Sequence, residues 1–215
     1  MKFRFSVLMV ALLCALTLGA QSLGSPRVTY ARSFQGSVPP FFQIEVYRDG
    51  RATYAAREKA GMPLTTLSFT ASPQALQEIF AGVRALHDFA GSTLQSKQNV
   101  AYTGDKMLAY DDDSHHTSQQ FTYTTNQHAA ALVSLFEGIS VTGMDAIRLQ
   151  RALQYQPLDV LQIMNQIEAD WAGHQMAEPQ LLAPTLQATL ANPNIMDAAQ
   201  KRARKLLQEF AKAKD

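Results

Sequence analysis

The chain has 215 residues, 47% of them apolar, and a formal charge of +1. That length supports one domain or two small ones around an ordinary hydrophobic core, and the near-neutral charge gives no electrostatic reason to expect nucleic acid or anionic lipid as a partner. A single cysteine, Cys14, excludes an internal disulfide and any multi-thiolate metal centre.

Lys2 and Arg4 precede a 16-residue apolar run from Phe5 to Ala20, FSVLMVALLCALTLGA. The run is shorter than the ~20 residues that cross a bilayer. Residues 1–22 are therefore read as a signal peptide and the protein as exported, periplasmic or secreted. Ala20-Gln21-Ser22 offers small residues at both places a cleavage site requires, which puts the cut after Ser22, with Ala20 as the alternative. Cys14 follows Leu12-Leu13 rather than a small residue and is not read as a lipid attachment site. The mature chain would be cysteine-free with a formal charge of about −1. No second apolar run of that length stands out, so it is expected to be soluble, without membrane insertion.

Arg27 to Ser33 reads as a first strand, and Val38-Pro39-Pro40 leads into the clearest local pattern in the chain, FFQIEVYR-DG-RATYAAR, Phe41 to Arg57. Asp49-Gly50 between alternating strands predicts a two-residue hairpin turn, because Asp tolerates positive φ and Gly adopts it freely. In that register Ile44 faces Ala55 and Glu45 faces Tyr54. One face then carries Phe42, Ile44 and Val46, and the other Phe41, Gln43, Glu45, Tyr47 and Tyr54. Leu64 to Thr70, rich in β-branched and aromatic residues, predicts the next strand.

Ser72-Pro73 opens a helix, since the Ser oxygen accepts an orphan amide and Pro has none to leave unpaired. Leu76, Ile79, Phe80, Val83 and Leu86 form its apolar stripe, expected to cover the Phe42/Ile44/Val46 face. Residues 90–105 read as a loop. Lys106 to Tyr110 and Gln119 to Thr124 predict a second hairpin with Asp111 to Ser118 at its tip. From Asn126 the apolar period becomes helical and stays so, with breaks expected near Gly138, at Thr142 as a new cap, and at Pro157, Pro179 and Asn192-Pro193. The expected fold is α+β: an antiparallel sheet of about five strands with one packed helix, then a C-terminal bundle of about five helices. Residues 23–125 form the β-rich part and 126–215 the helical part, the two either separate or packed as one domain.

Chemistry is sparse. Asp111, Asp113, His115 and His116 could offer oxygen and nitrogen ligands to a divalent ion. The carboxylates are contiguous rather than alternating as in a calcium loop, and adjacent His residues point apart on an extended chain, so a solvated turn is the plainer reading. Gly138-Ile139-Ser140 lacks the spacing of a nucleophile elbow. His87-Asp88, at a helix end, is as well explained by the helix dipole as by acid–base chemistry. The basic run Lys201, Arg202, Arg204 and Lys205 reads as a solvated helix face. What remains is a surface: Phe41, Gln43, Glu45, Tyr47 and Tyr54 combine aromatic area with orienting polar groups. The expectation is a non-enzymatic module that binds a protein or a small ligand there. The alternatives are a hydrolase or metal-dependent enzyme using the Asp/His tip, and a structural component of an envelope complex. No cofactor is indicated by any motif.

Overall fold

In the computed structural model, which describes residues 25–91 and 93–212, β1 (Arg27–Ser33) lies in the middle of a six-stranded sheet. The expected signal peptide lies outside the described residues. The other strands are β2 (Phe41–Tyr47), β3 (Arg51–Arg57), β4 (Thr65–Thr70), β5 (Asp105–Asp111) and β6 (His116–Phe121). Their order is β4-β3-β2-β1-β5-β6, and every neighbouring pair is antiparallel. The α+β class holds, with six strands rather than about five.

The central hairpin differs from its expected register by one residue. Its loop has three residues, Arg48-Asp49-Gly50, with Gly50 N–H donating to Tyr47 O at 2.9 Å and Gly50 at φ +92°. This is a turn followed by a left-handed glycine, the usual three-residue solution. Tertiary bonds hold it: Arg48 N–H donates to Pro26 O and Ala71 N–H to Gly50 O. Ile44 therefore pairs with Tyr54, and Glu45 with Thr53. Because side chains alternate with a period of two, the shift moves all of β3 to the other face. Tyr54 accordingly lies in the core at 0% exposed, beside Phe42, Ile44, Ala52 and Ala56, and leaves the surface on which it was expected.

The five α-helices of the described residues belong to the other layer. They are α1 (Pro73–Ala85), α2 (Gln127–Tyr155), α3 (Val160–Ala172), α4 (Ala183–Ala191) and α5 (Asp197–Lys212). Ser72 caps α1 as expected, its hydroxyl accepting from Ala75 N–H at 3.1 Å. The helix over the middle of the sheet is α2 rather than α1. Phe136 stacks on Tyr30 with centroids 5.2 Å apart, and Glu137 accepts bonds from Tyr30 Oη at 2.8 Å and Arg32 Nη1 at 2.7 Å. α1 packs alongside α2, with Leu76 near Gly50 and Phe80 beneath the Arg48 guanidinium.

α2 also corrects the expected break at residues 138–142, since one helix of 29 residues runs through it. Gly138 is not a stop here. It and Gly143 let Ala177 and the Tyr54 ring, respectively, approach the helix backbone. Thr142 is an interior residue whose hydroxyl donates to Ala177 O at 2.6 Å. Joining the two expected helices makes α2 long and apolar enough to cross a bilayer, but 61% of its apolar window is buried inside the fold, as befits a core helix. Sheet residues such as Tyr30 and Leu108 share one hydrophobic cluster with Ile147, Met164 and Leu206 of the helical layer.

Candidate functional site

Alternation along each strand leaves the second face of the sheet turned away from the helices. A row of residues crosses it. Tyr47 on β2 pairs with Arg27 on β1, Arg27 with Asp111 on β5, and Asp111 with His116 on β6. Arg27 is the hub. Its Nη2 donates to Asp111 Oδ2 at 3.0 Å, and its Nη1 lies 3.5 Å from Glu45 Oε1. His116 Nδ1 bonds the other Asp111 oxygen. Glu45 also accepts from Gln43 Nε2 at 3.0 Å and from the Tyr47 hydroxyl at 3.5 Å. The Tyr47 ring stands between two guanidinium groups, Arg51 at 4.7 Å and Arg27 at 6.0 Å from its centroid. Cation–π attraction and ion pairing thus fix an aromatic group and a line of charge on a rigid sheet.

The electrostatics follow. Burial pushes the Asp111 carboxyl up, but the bonds from His116 and Arg27 outweigh it and hold the group below the usual carboxylate range. Asp111 therefore stays an anion between two donors. Farther along the same face, a depression of about 440 Å³ is lined by Ser33, Asp105, Met107 and Gln120.

Of the expected binding residues, Phe41, Gln43, Glu45 and Tyr47 share this face, each half-buried. The expected metal ligands separate. Asp111 and His116 belong to the row. Asp112, Asp113, Ser114 and His115 make the tight turn, where Asp112 Oδ1 accepts from the backbone of Ser114 and His115, both at 2.8 Å. The Ser114 backbone N–H and then the Ser114 hydroxyl, which also donates to Oδ1 at 2.9 Å, hold the Asp112 carboxyl far below its ordinary value. Among the described residues, no three His, Cys, Asp or Glu side chains are grouped as a metal site would need. Comparison with family models and with curated proteins finds no match. The functional reading therefore rests on this geometry.

Sequence reasoning treated Tyr47 and the Asp/His tip as unrelated candidates and missed the residue that joins them. Arg27 becomes visible only once β1 is known to lie between β2 and β5, a pairing that no local pattern encodes.

The other candidates have structural roles. Ser140 is buried in α2 with its Oγ 3.3 Å from the Tyr54 hydroxyl. His87, Asp88 and Phe89 form a left-handed turn that buries Phe89 and accepts bonds at the Asp88 and Phe89 carbonyls from Thr117 and Gln119 of β6. Arg202 and Lys205 both pair with Glu168 of α3. One buried pair had no sequence signal. Asp145 of α2 is 1% exposed, and burial, then the charge of Asp170 on α3, push its carboxyl up to about 7 against the pull of Arg148. Gln166 Nε2 donates to Asp170 at 2.9 Å.

Proposed function

We propose that this is an exported, non-enzymatic binding module whose sheet face turned away from the helices receives a protein partner. One observation carries the reading: Tyr47 is pinned between Arg27 and Arg51 on the open face, within an ionic row that spans four strands. Aromatic and Arg side chains held in place before contact lose little entropy on binding, and they are the residue types that dominate protein interfaces. Glu45, Asp111 and His116 supply orienting polar groups beside them. Export rests on the basic start and apolar run of the first 22 residues. The hydrolase or metal-dependent alternative has less support, because the Asp111–His116 pair is joined by Arg27 rather than by a third ligand.

Site-specific crosslinking in the living cell tests this. A benzophenone amino acid at Tyr47 should give a discrete adduct with another protein. The same group at Gln77, exposed on α1, should not. No adduct from position 47, or the same adducts from both positions, would reject the sheet face as the binding surface.

A further inference from the structure

A second site lies away from the open face. Where the end of β4 meets the start of α1, a cleft of about 910 Å³ opens between those elements, α2, the segment after α3 and the end of α5. Its apolar wall includes Leu135, Met176 and an edge-to-face pair, Trp171 and Phe210, with ring centroids 4.9 Å apart. Its volume falls within the range of small-molecule sites, and two aromatic rings form part of its wall.

The polar side of the cleft is acidic. Glu78 stands exposed at the rim, and none of the lining residues is Lys, Arg or His. Glu178 is 7% exposed. Its carboxylate accepts from the Ser72 backbone at 2.7 Å, from the Ser72 hydroxyl at 2.6 Å and from Gln180 Nε2. Among the described residues no cation lies within ion-pair distance of it. A buried carboxylate is seldom left without a counter-charge. The Ser72 bonds and the start of α1 offset only part of the charge, and the three donors leave one acceptor position of a carboxylate's usual four.

We propose that this cleft binds a small organic cation with an apolar body, its ammonium group directed to Glu178 and Glu78 and its body to Trp171 and Phe210. Each part of the ligand answers a part of the wall. The ammonium supplies a counter-charge to Glu178, and the indole and phenyl rings accept both the apolar body and the cation's field.

Trp171 is the only tryptophan in the chain, so its fluorescence reports on the cleft alone. Phenethylammonium, titrated into the protein, should change that emission saturably. The neutral isostere phenylethyl alcohol should bind about tenfold more weakly, as expected for losing one hydrogen bond to a charged group, and the anion hydrocinnamate should give no response. Glu178→Gln should also weaken phenethylammonium about tenfold. Because Glu178 helps to anchor α1, Glu78→Lys is the companion variant; it alters only an exposed rim residue and should weaken binding roughly threefold at low salt, with unfolding unchanged. Equal responses to all three probes would show apolar adsorption and overturn the proposal. So would the lack of a saturable response, or undiminished binding in the folded Glu78→Lys protein.

Discussion

Gly143 of α2 lies against the ring of Tyr54, so close that a Cβ at Gly143 would fall 2.4 Å from Cδ1 of the ring. The tyrosine is held from the sheet below and cannot retreat, because its own strand is paired on both sides. Gly143→Ala should therefore destabilise the protein by about 1–3 kcal/mol through overpacking, despite the better helix propensity of alanine. Urea denaturation of the two proteins measures it. An unchanged midpoint would mean that the sheet and α2 are not packed this tightly.

The hairpin register gives a paired prediction. Tyr54→Ala removes a fully buried ring and should cost about 3–5 kcal/mol. Tyr47→Ala, on the open face, should cost about 1 kcal/mol or less. The two-residue turn would put both tyrosines on one face and give two similar losses.

Stability should also depend on pH through Asp145. Its carboxyl sits near 7 in the folded protein against an ordinary 3.8, so the folded state keeps a proton that the unfolded chain releases. That contribution is fully present below about pH 4, falls as pH rises, and is gone above about pH 7, a span worth on the order of 4 kcal/mol. Carboxylates held low, such as Asp111 and Asp112, act in the opposite sense, so the difference between proteins is the readout. Asp145→Asn should lose less stability than the parent between about pH 4 and pH 8 in urea melts. Parallel pH profiles would dispose of the proton held on Asp145.

Zinc or calcium titrated into the protein should give no saturable heat at the β5–β6 tip, since Asp111 is bonded by Arg27 and His116 while Asp112 is occupied by the turn. A stoichiometric isotherm lost on replacing Asp111, Asp113 and His115 by Ala would show that these side chains reorganise around an ion.

Local signals were read well where local physics decides the outcome. Ser72-Pro73 starts α1, Pro157 and Pro179 start helical turns, and β2 alternates as written. Errors arose where a distant residue decides. Asp49-Gly50 fits either a two- or a three-residue loop, and the bonds from Arg48 to Pro26 and from Ala71 to Gly50 select the longer one. Gly138 looks like a helix end until Ala177 occupies the space above it, and Thr142 looks like a new cap although the helix continues past it beneath the Tyr54 ring. Phe41, Gln43, Glu45 and Tyr47 were legible as one face by alternation alone, whereas their link to Asp111 and His116 runs through Arg27 and the non-local strand order.

The central position of β1 sets an order of events on a chain that emerges from its N-terminus. The first four strands can close as a meander, but one side of β1 then stays bare until β5 arrives more than 70 residues later. For that interval the middle of the future sheet is an open edge, the form most able to recruit a strand from another molecule. Arg27 and Arg32 lie near the two ends of that edge, where charged side chains disfavour such recruitment, and Arg27 meets Asp111 only when the last hairpin docks.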